Sequence, residues 1–106
     1  MSVLLEFSMF PIAKGGGVSV YVGRIIKKLE EEGIEYQLTP MCTIIETESL
    51  KDALKIIEMA YEMLEADCNR VYTSVTFDIR KGQIGRISKK IESVKKRIEE
   101  ASCSSS

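Results

Sequence analysis

Ten consecutive residues, Val71 to Arg80, alternate without a break: Val71, Thr73, Val75, Phe77 and Ile79 on one parity, Tyr72, Ser74, Thr76, Asp78 and Arg80 on the other. A period of two puts the two sets on opposite sides of a β-strand, apolar inward and polar outward. So long a strand needs further strands and a covered face to be stable. The same period recurs at the other end of the chain, where Val3, Leu5, Phe7 and Met9 alternate with Leu4, Glu6, Ser8 and Phe10 until Pro11 ends the run.

Between these strands the period changes. After the loop Lys14-Gly15-Gly16-Gly17, Val18, Val22, Ile25 and Leu29 recur at helical spacing, with Ser19 as the expected N-cap, Lys27, Lys28 and Glu30 to Glu32 as the wet side, and Gly33 as the stop. Ile34, Tyr36 and Leu38 then alternate with Glu35, Gln37 and Thr39, which predicts a second strand, interrupted by Pro40; Cys42 to Thr47 predicts a third. Ser49, with Asp52 three residues on, predicts the cap of a helix whose apolar stripe is Leu50, Ala53, Leu54, Ile57, Ala60 and Leu64. The order is β-α-β-β-α-β, the split βαβ or ferredoxin-like α+β arrangement: an antiparallel sheet with both helices on one face. An extra helix is expected from about Gln83 to Glu100, with Ile84, Ile87, Ile91, Val94 and Ile98 at alternating spacings of three and four, a narrow coiled-coil seam. Residues 1–101 read as a single domain and 102–106 as a frayed, serine-rich tail.

Composition narrows the function. The 106 residues hold 15 basic and 16 acidic side chains, a net charge of −1 that speaks against a general nucleic-acid binder. No apolar run is long enough to span a membrane, and Glu6 inside the first apolar stretch argues against a signal peptide. With no histidine, the commonest general base, the commonest zinc ligand and every Ser-His or Cys-His pair are missing. Cys42, Cys68 and Cys103 are widely spaced and odd in number, which fits reduced thiols in a cytoplasmic protein better than a zinc site or a disulfide framework. Abundant Lys, Glu and Ile with few amides give the chain a thermophile-like composition.

Two helices cover only one side of the sheet. The other side is expected to present Glu6, Ser8, Gln37, Tyr72, Ser74, Thr76 and Asp78, with Leu4 and Phe10 adding apolar area. Such a face has few charges for a solvated sheet and suits an interface or a ligand wall. The C-terminal seam also needs a partner, since leaving five aliphatic side chains wet forgoes about 1.5–3 kcal/mol each. A homodimer or homotetramer built through the open sheet face and the C-terminal helix satisfies both demands.

Candidate chemistry is sparse. The glycine loop before the first helix could bind an anion on backbone amides, but it matches neither GxxxxGK[ST] nor GxGxxG and reads more simply as a pliable connection. Glu46 in Thr43-Ile44-Ile45-Glu46 could pair with a ligand's amine or protonated ring nitrogen, or serve only as a strand-edge charge. Asp78 and Arg80, two apart on one face, form either an interface ion pair or a ligand contact. No spacing singles out a catalytic pair, no metal site is expected, and neither the arginine of an acylphosphatase loop nor the aromatic pattern of an RNA-recognition motif is present.

Taken in order, Phe7-Ser8-Met9-Phe10-Pro11-Ile12, Ser19-Val20-Tyr21-Val22, Gly33 to Leu38, Pro40 to Glu46, Arg70 to Arg80 and Lys89 to Lys95 resemble the small archaeal and bacterial YkoF-like thiamine-binding family. The resemblance runs from about Ser2 to Ile98. It implies a ferredoxin-like domain with an added C-terminal helix, assembled as dimers and commonly tetramers, that binds thiamine or its hydroxymethylpyrimidine part without known catalysis and without a separate cofactor. It carries Thr43 and Glu46 best, because the T-x-x-E pattern is intact: a carboxylate such as Glu46 meets the ring nitrogen and amino group of an aminopyrimidine side by side. Thr43, Ser19 and Ser8 would supply hydroxyls, and Tyr21 an aromatic face for a thiazolium cation. Cys42 stands where relatives usually have glycine, and Gly15 to Gly17 where many have serine or threonine. The resulting expectation is a non-enzymatic, homo-oligomeric small-molecule binder; the alternatives are a structural or regulatory oligomer that retains no ligand, or an acid–base enzyme using Glu46 or Asp78.

Overall fold

In a computed structural model of the chain, residues 1–12, 17–82 and 91–98 are described. The elements are β1 (Ser2–Pro11), α1 (Ser19–Glu31), β2 (Gln37–Leu38), β3 (Thr43–Thr47), α2 (Leu50–Glu65) and β4 (Val71–Arg80), followed by a helical stretch at 91–98, here called α3. The sheet order is β2-β3-β1-β4 with every neighbouring pair antiparallel. This is the expected α+β, ferredoxin-like arrangement. Residues 14–16 of the glycine loop, Ile84 and Ile87 of the C-terminal seam, and the tail at 102–106 lie outside the described residues.

β1 is the spine of the sheet. It pairs along its whole length with β4, from Ser2 opposite Arg80 to Pro11 opposite Val71, and on its other side with β3, from Val3 opposite Thr47 to Phe7 opposite Thr43. Its odd-numbered residues Val3, Leu5, Phe7 and Met9 are buried, as alternation requires, together with Ile45 of β3. Against them α1 lays Tyr21, Ile25 and Leu29, and α2 lays Ala53, Ile56, Ala60 and Leu64. Each fully buried Leu, Ile or Phe in this layer contributes on the order of 1.5–3 kcal/mol.

Local chemistry sets the helix ends. Ser49 caps α2 as expected: its hydroxyl accepts the Asp52 N–H at 3.1 Å. Beyond α1, Gly33 takes φ +69°; its N–H donates to the Glu30 carbonyl and the Ile34 N–H to the Leu29 carbonyl, the paired bonds of a Schellman motif. Ser19 behaves differently from expectation. It is the first helical residue, and Val18 holds the cap position without a side-chain hydrogen bond. The second strand is also shorter than the alternation over residues 34–39 predicts, with only Gln37 and Leu38 laddered to β3. Ile34 and Tyr36 pack against the core instead, and the Tyr36 hydroxyl donates to Glu30 Oε1 at 2.6 Å, tying this segment back to α1. The buried face of α2 is rotated from the expected stripe: Ile56 is inside, while Leu50 and Leu54 are outside.

Candidate functional site

A cavity of about 300 Å³ lies between the C-terminal half of β1, the start of α1 and the β2–β3 hairpin. Phe7 and Met9 line it from the sheet, Val18, Val22 and Ile25 from α1, and Leu38 to Thr43 from the hairpin. The walls are largely aliphatic, with the Thr43 side chain, on the core-facing parity of β3, as a buried hydroxyl among them. A concave, largely apolar space with a few placed polar groups is the usual form of a small-molecule site.

The hairpin wall is rigid for a local reason. Pro40 fixes one backbone angle of the loop. The Thr39 hydroxyl gathers the rest: it accepts the Cys42 N–H at 3.0 Å and the Met41 N–H at 3.3 Å, and donates to the Cys42 carbonyl at 2.9 Å. The Thr39 N–H donates to that same carbonyl at 2.9 Å. This clamp leaves Met41 standing outward, 86% exposed, at the rim of the cavity beside the exposed Val18 and Leu38.

The residues expected at the site do not all meet there. Ser8 and Thr43 line the cavity. Ser19 is exposed at the first turn of α1, next to the rim residue Val18. Tyr21 is buried in the core layer and does not line the cavity; the Arg24 guanidinium covers its ring at 4.9 Å from the centroid. That guanidinium is held in turn by both carboxylate oxygens of Asp67 at 2.9 Å, a contact that raises the Arg24 pKa. Glu46 faces the side of the sheet turned away from α1 and α2, opposite Leu4, where it accepts the Ser2 hydroxyl. Leu4 is flanked on its other side by Asp78 of β4. Glu46 also borders a second, wider and more open cleft of about 550 Å³, together with Glu32, Glu35, Glu48, Asp52 and Lys55. Among the described residues no group of three or more Cys, Asp or Glu is arranged to hold a metal ion, and no helix is long and apolar enough to cross a membrane.

Sequence spacing could not have found the aliphatic wall. Val22 and Ile25 read as core positions of α1, and they become cavity lining only because the hairpin stops short of them. Leu38 read as an apolar position of the second strand, yet it is 53% exposed at the rim, and Met41 carried no signal beyond its neighbourhood to Pro40.

Residues 5–95 match the sequence profile of a family described as thiamine-binding protein. YqgV of Bacillus subtilis is 39% identical over 102 residues, covering 91% of this chain and 97% of its own. The solved structure of a hypothetical protein, MJ1052 of Methanocaldococcus jannaschii, superposes with a TM-score of 0.75 at 29% identity, covering 88% of this chain and 95% of the other. A candidate thiamine biosynthesis or salvage protein of Thermotoga maritima shares the fold at a TM-score of 0.75 and 20% identity, over 89% of this chain and 99% of its own. With the profile spanning most of its length and the fold in agreement, the chain is a member of the thiamine-binding protein family.

Proposed function

We propose that the protein binds thiamine, or its hydroxymethylpyrimidine part, in the cavity between α1 and the β2–β3 hairpin, and that it holds this ligand without transforming it. The observation that carries this reading is the half-open, largely apolar cavity of about 300 Å³ with Thr43 in its wall. That volume lies at the small end of ordinary ligand sites. A flat heteroaromatic ring suits slots between aliphatic side chains, and a hydroxyl such as that of Thr43 both donates and accepts toward ring nitrogens and amino groups. Ser19, exposed next to the rim residue Val18, lies outside the lining. Family membership supports the ligand class. Glu46, which lies across the sheet, is kept as the carboxylate of a rival site in the acidic cleft. There a thiazolium cation would find opposite charge.

The same reading includes self-association through the sheet face turned away from α1 and α2. There the cross-strand neighbours are Leu4 and Asp78, Glu6 and Thr76, Ser8 and Ser74, and Phe10 and Tyr72, the last pair with ring centroids 5.6 Å apart. It also places the protein in the cytoplasm, in keeping with the wide spacing and odd number of its cysteines.

Titration calorimetry with thiamine and with hydroxymethylpyrimidine tests the binding. Saturable heat from either one, abolished by Val22→Trp, which fills the cavity, is the expected result. No heat from either at millimolar concentration rejects the reading and leaves a structural oligomer in its place.

A further inference from the structure

Two apolar stripes on this chain face solvent, and they have matching forms. On α2, with Ala53, Ile56, Ala60 and Leu64 turned to the sheet, Leu50, Leu54 and Tyr61 are left exposed, at 37, 51 and 40%, with half-buried Ile57 between them. Their spacing of four, three and four is a d-a-d-a seam. On α3 all eight residues of 91–98 are exposed. Ile91, Val94 and Ile98 recur there at three and four, an a-d-a seam. The chain's own α2 therefore does not cover α3.

Charge tells the two stripes apart as partners. In the heptad that places Leu54 and Tyr61 at a, the e positions in the second half of α2 are Glu58 and Glu65. In the heptad that places Ile91 and Ile98 at a, the flanking e and g positions are Lys95 and Arg97. Over whole helices, two lysines against four carboxylates leave α2 at −2, and three basic residues against Glu92 leave α3 at +2. Flanking charges of this kind set partner choice in helix pairs. A second α3 against α3 would bring together two helices of +2, and α2 against α2 two helices of −2.

We propose that α3 of one copy docks along the Leu50–Leu54–Ile57–Tyr61 stripe of α2 in a second copy. Exchanged reciprocally about a twofold axis, the contact closes on itself and buries both stripes of both chains. It rests on the reading that the chain self-associates, and adds to it the surface on which the C-terminal helix lands. The covered surface lies on the outer side of the helical layer, opposite to the sheet face turned away from α1 and α2.

Light scattering on the full-length chain tests this. Leu54 and Ile91 are both solvent-facing, so Leu54→Lys and Ile91→Lys leave the core intact, with circular dichroism as the check. Each is expected to lower the assembled mass to half or less of the wild-type value. Glu58→Lys with Glu65→Lys is expected to do the same, and adding Lys95→Glu with Arg97→Glu to restore it. Unchanged mass in both lysine variants, or no restoration on the charge exchange, overturns the docking. A wild-type chain that is monomeric at every concentration removes self-association and docking together. A wild-type oligomer dissociated by Tyr72→Lys but not by Leu54→Lys removes the docking alone.

Discussion

Thr43 and Glu46 are three residues apart on β3 and look out from opposite faces of the sheet: Thr43 pairs with Phe7 and is buried under the helices, whereas Glu46 pairs with Leu4 and faces away from α1 and α2. One small ligand held by a single chain therefore cannot rest on both. Thr43→Val, nearly equal in volume, removes a hydroxyl from the cavity wall and is expected to weaken ligand binding about 5- to 30-fold, equivalent to about 1–2 kcal/mol. Glu46→Gln is expected to leave the affinity within about twofold. Calorimetry on the two variants reads the difference, and the opposite pattern would move the ligand to the acidic cleft.

Two glycines that meet open space should respond to alanine with opposite signs. Gly33 sits at φ +69° in the Schellman turn after α1, where a Cβ touches nothing within 4 Å but the backbone itself resists a side chain. Gly33→Ala is expected to cost about 1–2 kcal/mol. Gly23, inside α1 and equally unobstructed, carries no such strain, and Gly23→Ala is expected to stabilise by about 0.5–1 kcal/mol. Urea midpoints of the two variants, at unchanged m-value, check both signs.

Ser49→Ala removes the hydroxyl that accepts the Asp52 N–H at the start of α2. The expected cost is about 1 kcal/mol, which lowers the melting temperature by roughly 4–8 °C in a domain of this size. Ser49→Asp, which can cap the same N–H and suits the positive end of the helix, should recover it. Thermal unfolding followed by circular dichroism reads both.

At alkaline pH the Tyr36–Glu30 contact should be the one to give way. The hydrogen bond that the phenol donates to Glu30 holds its pKa above the ordinary value, and desolvation pushes in the same direction. Because the folded value is the higher one, the neutral phenol is the stabilised form. Its contribution is complete below the ordinary tyrosine value of about 10 and is lost as pH rises through the folded value. Difference absorbance titration of wild type against Tyr36→Phe isolates this group, and Glu30→Ala should bring its transition to lower pH. A transition indifferent to Glu30→Ala would refute the coupling.

The architecture was legible because its long strands are loud. β1 and β4 announce themselves by uninterrupted alternation, and Gly33, Pro11 and Ser49 mark where segments end or begin. What was not legible depended on neighbours. The segment 34–39 alternates like a strand, but only Gln37 and Leu38 find a ladder, because Ile34 is drawn into the helix stop and Tyr36 is bonded to Glu30. On α2, apolar residues occur on so much of the circumference that periodicity could not say whether Leu54 or Ile56 turns inward; the sheet chose Ile56. The opposite parities of Thr43 and Glu46 were readable in advance. The cavity was not, because it arises where α1 and a clamped hairpin stand apart, and no local pattern encodes a gap between two elements.

The pairing of β1 with β4 also governs when this protein can become itself. The spine strand precedes its longest partner, Val71 to Arg80, by most of the domain, and the two are joined as far apart in sequence as Ser2 and Arg80. A nascent chain that ends before residue 71 has only β3 to offer the spine, so the full sheet cannot form until β4 has been made. Closing so distant a pairing is slow by topology rather than by weak bonding. Until it closes, the apolar side of β1 is in the keeping of whatever escorts the unfinished chain.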